Sequence, residues 1–385
     1  MKIFDVKLVN ILFLTGLTLT SSYATVLPTN YVAGDLISSS AANAVNTQIN
    51  TNTTDIATNT SDLATKIGFY RATTITVPAN STDSENGLAL IAALNATANL
   101  LPAPSVAYPA TIHLEPGVYA LPASQTIGSD IIIDGRGASF KMPGGAAITF
   151  SDDDSLSDVK ITGSNNSSLL IINNSTMATG VKLNNISVTQ SGSGDAIGIT
   201  AIGNPADTVI FSMLNSTISA ASANNALSIA AGNGVINLVN DTLTGGTTGA
   251  GISVNDATNS QPVSIDLSQS NVSGLFIANT DTQSTINVYN SQIGVSGDGN
   301  SVEVASGGAP TFTANFYGSQ LAGPVNNGSS AYTDKLYFYN SLILGNISSS
   351  SDANTFLANT GVSAAPIATC FGAFNATTLI LVTCS

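Results

Sequence analysis

Few side chains in this sequence could do chemistry. There is one His, His113, and two Cys, Cys370 and Cys384, which leaves no His/Cys cluster to hold a metal. Carboxylates remain. A pair of Asp or Glu can act as acid and base, and Asp195, Asp207, Asp241, Asp266 and Glu303 are the candidates. Only Asp241 and Asp266 fall at comparable places in the repeat described below. Asp152-Asp153-Asp154 contains an acidic pair, but Ser151, Ser155 and Ser157 surround it and suggest a solvated loop. His113 alternates with Ile112 and Leu114, so it is expected to point outward on a strand. No catalytic residue, cofactor or metal is assigned, and the balance weighs against an enzyme.

The elements that must position these residues follow from composition. The 385 residues carry 9 Lys+Arg against 23 Asp+Glu, a net charge of -14 and a pI near 4.1. Nucleic acid as a partner is excluded, because phosphate neutralisation needs clustered bases. Hydrophobic residues make up 43%, too many for a disordered chain.

Residues 1–24 are expected to be a secretory signal peptide. Lys2 and Lys7 form the basic region, Val9 to Leu19 the apolar run, and Ser22-Tyr23-Ala24 the cleavage site. The run is too short for a membrane span, and no later segment is long enough to cross as a helix. The expected location is secreted or extracellular, on the bacterial surface or in the periplasm. In an oxidising compartment Cys370 and Cys384 are expected to pair, closing a loop of about 15 residues worth about 3 kcal/mol. Residues 366–385 would form that disulfide-closed cap.

Residues 25–68 are expected to hold a short helical stalk. Ala42, Ile49, Ile56 and Leu63 repeat every seven residues, with Val45, Asn52, Asn59 and Lys66 at the companion position. One chain cannot bury so narrow a stripe, so Ile49, Asn52, Ile56, Asn59 and Leu63 suggest a self-associating core, with Asn fixing register. A flexible Asn/Thr linker is the alternative. The heptads Ile49-Asn50-Thr51-Asn52-Thr53 and Ile56-Ala57-Thr58-Asn59-Thr60 resemble stalks of trimeric autotransporter adhesins. The resemblance implies a homotrimer.

Beyond residue 70, short β-branched runs alternate with Gly, Ser and Asn turns. An apolar alternation followed by Asn-[Ser/Asp]-x-aliphatic recurs at Asn215, Asn240, Asn290 and Asn340, with variants at Gln269 and Gly318 and a looser copy at Asn185. The closing aliphatics, Val188, Ile218, Leu243, Val272, Ile293, Leu321 and Ile343, are spaced 21 to 30 residues apart. Such spacing marks a solenoid whose coils bury their apolar faces on one another. Each coil should carry at least two strands. Asn and Gly tolerate a left-handed backbone, so the recurring position predicts a tight corner with an asparagine ladder. Tyr289, Tyr317 and Tyr339 share another repeat position and alternate with Val288, Phe316 and Phe338. Facing outward, they could stack a sugar chain. A capping box, Thr82-x-x-Glu85, predicts a helix over roughly 84–99 covering the first coil, with Leu88, Ile91, Ala92 and Ala98 inward.

The expected fold is therefore all-β: a parallel β-helix over residues 69–365 with an N-terminal capping helix and a coiled-coil segment. Thr111-Ile112-His113-Leu114-Glu115-Pro116-Gly117-Val118-Tyr119, then Ile133-Asp134-Gly135-Arg136-Gly137-Ala138, resembles the opening coils of right-handed parallel β-helix proteins of the pectin-lyase-like superfamily. That resemblance speaks for fold more than function, since the fold hosts lyases, hydrolases, adhesins and tailspikes. The pectin hydrolases' Gly-His-Gly segment is missing, and Arg136, Lys141, Lys160, Lys182 and Lys335 do not recur at coil spacing. The expected function is a secreted, non-catalytic adhesin, matrix or carbohydrate-binding protein, with polysaccharide or host surface glycan as partner. A polysaccharide lyase or glycoside hydrolase, and a phage-tail-like spike, are the alternatives.

Overall fold

The computed structural model describes residues 39–68, 72–75, 82–100, 103–173, 180–200, 209–230, 234–256, 262–280, 284–305, 312–328, 335–349, 355–363, 368–378 and 380–383. Among the described residues from Ala72 on, the strands stack on one another in parallel, and the fold is a β-solenoid. Among the described residues no helix is long and apolar enough to cross a membrane.

Each full coil has three strands, one more than the minimum read from the sequence. One coil runs Val209–Leu214 on the first face, Thr217–Ala220 on the second and Leu227–Ala230 on the third. The next repeats this with Gly234–Val239, Thr242–Thr244 and Ile252–Asp256. The first and second faces meet at a two-residue corner, so their strands join one 23-stranded sheet, and the third face forms a ten-stranded sheet. Strand alternation decides what is buried. In Val209–Leu214, Phe211 and Met213 point in while Ile210 and Ser212 point out. The closing aliphatics stack in register, Val188 on Ile218, Leu243, Val272, Ile293, Leu321 and Ile343, and each is at most 1% exposed. A register slip of one residue would turn this whole row to water, so the stack locks the coils.

The interior of the corner is polar. Ser216, Asp241, Ser270, Ser291, Ser319, Ser341 and Thr360 are each at most 4% exposed. From coil to coil a backbone N–H donates to the next side chain: Ile186 to Ser216, Ser216 to Asp241, Asp241 to Ser270 and Ser270 to Ser291, at 2.7 to 3.2 Å. The serines also donate to the carbonyl two residues back, as Ser291 does to Tyr289 at 2.8 Å. This satisfies the backbone groups that a tight corner would otherwise leave buried and unpaired.

Helix α1 (Ser39–Gly68) carries the heptads. Ile49 is 54% and Ile56 66% exposed, and Asn52 and Asn59 are exposed. Thr47, Thr51, Thr53, Thr54 and Thr58 each donate to a carbonyl four residues back. Gln48 donates to Asn52 at 2.8 Å.

Helix α2 (Asp83–Ala98) starts at the capping box, with Thr82 and Glu85 satisfying each other's backbone. Its inward face differs from the expected one. Leu88 is 57% exposed, Ala92 and Ala98 are exposed and Ile91 is half-buried, while Asn86, Gly87, Leu90, Ala93, Leu94 and Thr97 are buried. Close approach selects this face: a Cβ at Gly87 would lie 1.9 Å from the Ala120 carbonyl oxygen, and Asn86 donates to the Val118 carbonyl at 3.0 Å. Only the stripe with a glycine lets the helix lie on strand Val118–Ala120.

Past residue 365 the ladders continue. Thr369–Phe371 pairs with Phe356–Ala358, and Phe374–Asn375 with Gly361–Val362. The proposed leader, residues 1–24, and Cys384 lie outside the described residues.

Candidate functional site

The corner position is left-handed in every described coil. Asp158, Asn185, Asn215, Asn240, Gln269, Asn290, Gly318, Asn340, Asn359 and Gly372 have φ between 46° and 72°. Side chains link some neighbours: Asn240 Nδ2 donates to Asn215 Oδ1 at 2.7 Å, and Asn185 donates to Asp158. At these two steps the corner side chains join neighbouring coils at the surface, while the serine ladder joins coils inside.

The outer side of the first face carries the aromatics. Tyr289, Tyr317 and Tyr339 follow one another in register. Tyr289 is 38% and Tyr317 36% exposed, Tyr339 is half-buried, and Val288, Phe316 and Phe338 lie fully inside. The tyrosine rings stack, with centroids 5.1 and 5.0 Å apart and planes within 9°. Two further rings extend the patch. Tyr337 lies beside Tyr339 at 6.1 Å and stacks on Phe356 at 4.7 Å, with Lys335 Nζ 5.4 Å from the Phe356 ring. Both are half-buried. Sequence reading missed them, although Tyr337 stands two residues before Tyr339 and so must share its face.

This geometry alters how a sugar could be met. Both faces of Tyr317 are turned to neighbouring rings. The row ends on small residues, Ser268 before Tyr289 and Ala358 after Tyr339. Beside it runs a polar row: Asn287 donates to Asp266 at 2.8 Å and Asn315 to Asn287 at 3.0 Å. Desolvation and the Asp266 charge push the Tyr289 hydroxyl above its ordinary pKa. It therefore stays a hydrogen-bond donor beside a carboxylate and two amides.

The carboxylate candidates are not brought together. Asp241 lies inside the corner, 1% exposed, with its pKa pushed up to about 7 by burial. Asp266 faces outward on the first face, in register with Asn237. The two are therefore not equivalent in the repeat, because Asp241 stands two residues beyond the strand end that Asp266 precedes. Glu303 lies on the third face, and Asp195 accepts the Asn225 N–H at 2.7 Å. Asp207 lies outside the described residues.

Asp154 is also not a solvated loop residue. It is 1% exposed, accepts the Ile131 and Ser151 N–H groups at 3.1 and 2.8 Å, and burial pushes its pKa up to about 8. Local sequence misleads here because Ile131 lies a full coil away. Among the described residues no three His, Cys, Asp or Glu side chains gather as metal ligands. Compared with known proteins, the chain matches no family model, no curated protein and no solved structure.

Proposed function

We propose that this is a secreted, non-catalytic protein of the pectin-lyase-like β-helix class that binds neutral polysaccharide as an adhesin or matrix component. The observation that carries the reading is the outward aromatic row, Tyr289, Tyr317 and Tyr339 with Tyr337 and Phe356, alongside the Asp266–Asn287–Asn315 row. Aromatic edges and phenol hydroxyls beside amides suit a chain of alternating C–H and O–H groups. A sugar chain lying along the solenoid meets ring edges and hydroxyls, with ring faces available only where the row ends. Net charge of -14 favours a neutral polymer.

Affinity electrophoresis against neutral glucans, galactans and mannans tests this. Tyr289→Ala and Tyr337→Ala should each weaken retardation by at least one polymer by about tenfold, the scale of one lost aromatic contact. Unchanged retardation in both variants would overturn it, as would release of reducing ends or unsaturated products from the polymer.

Self-association through α1 belongs to the same proposal. Ile49, Asn52, Ile56, Asn59 and Leu63 keep heptad spacing along one helix, and Ile49 is exposed in the single chain. A homotrimer would raise avidity for a repetitive polymer. Light scattering on the mature chain with and without the stalk decides it, and a monomer in both would remove the trimer.

A further inference from the structure

The first coils hold a corner unlike all later ones. Opposite the single residue Asp158 stand three, Gly135-Arg136-Gly137, and the register slips between Asp134 and Ala138. The backbone allows the bulge because Gly135 is pressed against the next coil, where a Cβ would lie 2.1 Å from Val159 Cγ2, and Gly137 takes φ 84°. Arg136 sits at φ 50°, where later corners use Asp, Asn, Gln or Gly. A long side chain in this region carries backbone strain, and such strain gathers at sites with a role.

The side chain is held. Arg136 Nε donates to Asp134 Oδ2 at 3.0 Å, and His113 Nδ1 lies 3.0 Å from the same oxygen. Burial alone would raise the Asp134 pKa, but the bonds from Arg136 and His113 outweigh it and hold the carboxyl below its ordinary value. Asp134 is thus a charged anchor. Among the described residues, the Arg136 guanidinium makes no other hydrogen bond, and Lys160 forms neither a hydrogen bond nor an ion pair.

These two cations line an open groove of about 430 Å³ with Asp158, Asn185, Ser187 and Thr217. The lining also holds one carboxylate, Asp158, which accepts from the Asn185 amide. Beside it stand the donors that could meet an anion: a guanidinium, an ammonium and two hydroxyls. Only five basic residues follow position 71 in this acidic chain, and two of them meet here.

We propose that this groove binds an oxyanion, a carboxylate or sulfate ester, on a ligand distinct from the neutral polymer of the aromatic row. Guanidinium matches such groups with paired donors, and the anchoring of Arg136 by Asp134, itself held by His113, lowers the entropy lost on binding. The site is separate from the aromatic row and does not depend on it.

Affinity electrophoresis in dextran, dextran sulfate and carboxymethyl dextran tests the proposal, because the three share one backbone. The purified protein should be retarded by one or both charged polymers and not by dextran, and the charged arm that wins names the oxyanion. Arg136→Gln and Lys160→Gln, each checked for folding by circular dichroism, should weaken that retardation about tenfold, the scale of one charge-assisted hydrogen bond. Lys182→Gln removes the same charge outside the groove and should not. Tyr289→Ala should leave it unchanged, so failure of the aromatic reading is told apart. Equal retardation by dextran, wild-type affinity in both groove variants, or an equal loss in Lys182→Gln would overturn the site.

Discussion

The backbone N–H of Ser216 donates to the carboxylate of Asp241 at 2.7 Å, across the boundary between two coils. Neighbouring coils fill that interior position with a hydroxyl, at Ser216, Ser270, Ser291, Ser319 and Ser341. A serine there both accepts and donates. The aspartate accepts twice, from Ser216 and from Val239, and brings a charge into the core. Burial pushes its pKa from 3.8 up to about 7. The folded state therefore holds this proton more tightly than the unfolded chain. Stability is greatest below the unfolded value, falls as pH rises from about 4 to about 7, and is flat above that for this group. Asp154 works in the same direction, up to about pH 8. Asp241→Ser should raise the melting temperature by a few degrees near pH 9 and by much less near pH 4. Equal shifts at both pH values, followed by circular dichroism, would refute the assignment.

A second weak point lies on the third face. Asn327 is fully buried, in register with Val304, and among the described residues neither its amide nitrogen nor its oxygen has a hydrogen-bond partner. An unpaired buried amide costs about 1–3 kcal/mol. Asn327→Leu is close in volume and removes both polar atoms. It should raise the denaturant midpoint with the slope unchanged. A lower midpoint would mean that the amide is satisfied in solution.

Much of this architecture was legible, and the reasons are specific. The aliphatics from Val188 to Ile343 could be aligned because in-register stacking forces each coil to repeat the same inward residue. The left-handed corners were legible because few residue types tolerate that backbone. The inward face of α2 was not, since Gly87 reads as a helix breaker until Ala120 is known to press against it. The serine ladder and the burial of Asp154 escaped because each depends on a bond to a neighbouring coil, at a sequence separation no local pattern marks. The Arg136 groove escaped for the same reason, since Lys160 is 24 residues away along the chain.

The corner makes its own demand. Asn240 has φ 56° and donates to Asn215. Asn240→Gly keeps the backbone freedom and loses only an exposed hydrogen bond. Asn240→Val adds a β-branched side chain in the left-handed region, costing about 1–2 kcal/mol on top. Chemical denaturation should rank stability as wild type, then Gly, then Val. If Val proved as stable as Gly, the left-handed corner would be wrong.

The C-terminus bears on the cysteines. Cys370 lies in a strand paired with the preceding coil and packs partly buried on the core. The chain then turns back: Phe374 bridges Leu381 antiparallel, Asn375 N–H donates to the Ile380 carbonyl, and Val382 N–H donates to the Ala373 carbonyl. Val382 also packs on the core, and Cys384, two residues further on, lies outside the described residues. A Cys370–Cys384 disulfide would lock that return and seal the last coil. In denaturant without reductant, thiol titration of the protein should find no free thiol, and two after reduction. Cys384→Ser should lower stability by about 3 kcal/mol, the loop-closure value for a ring of this size. That loss should be concentrated in hydrogen-exchange protection of the final coil, because a solenoid transmits stability mainly between neighbouring coils. Two titratable thiols in the unreduced protein would rule the bridge out.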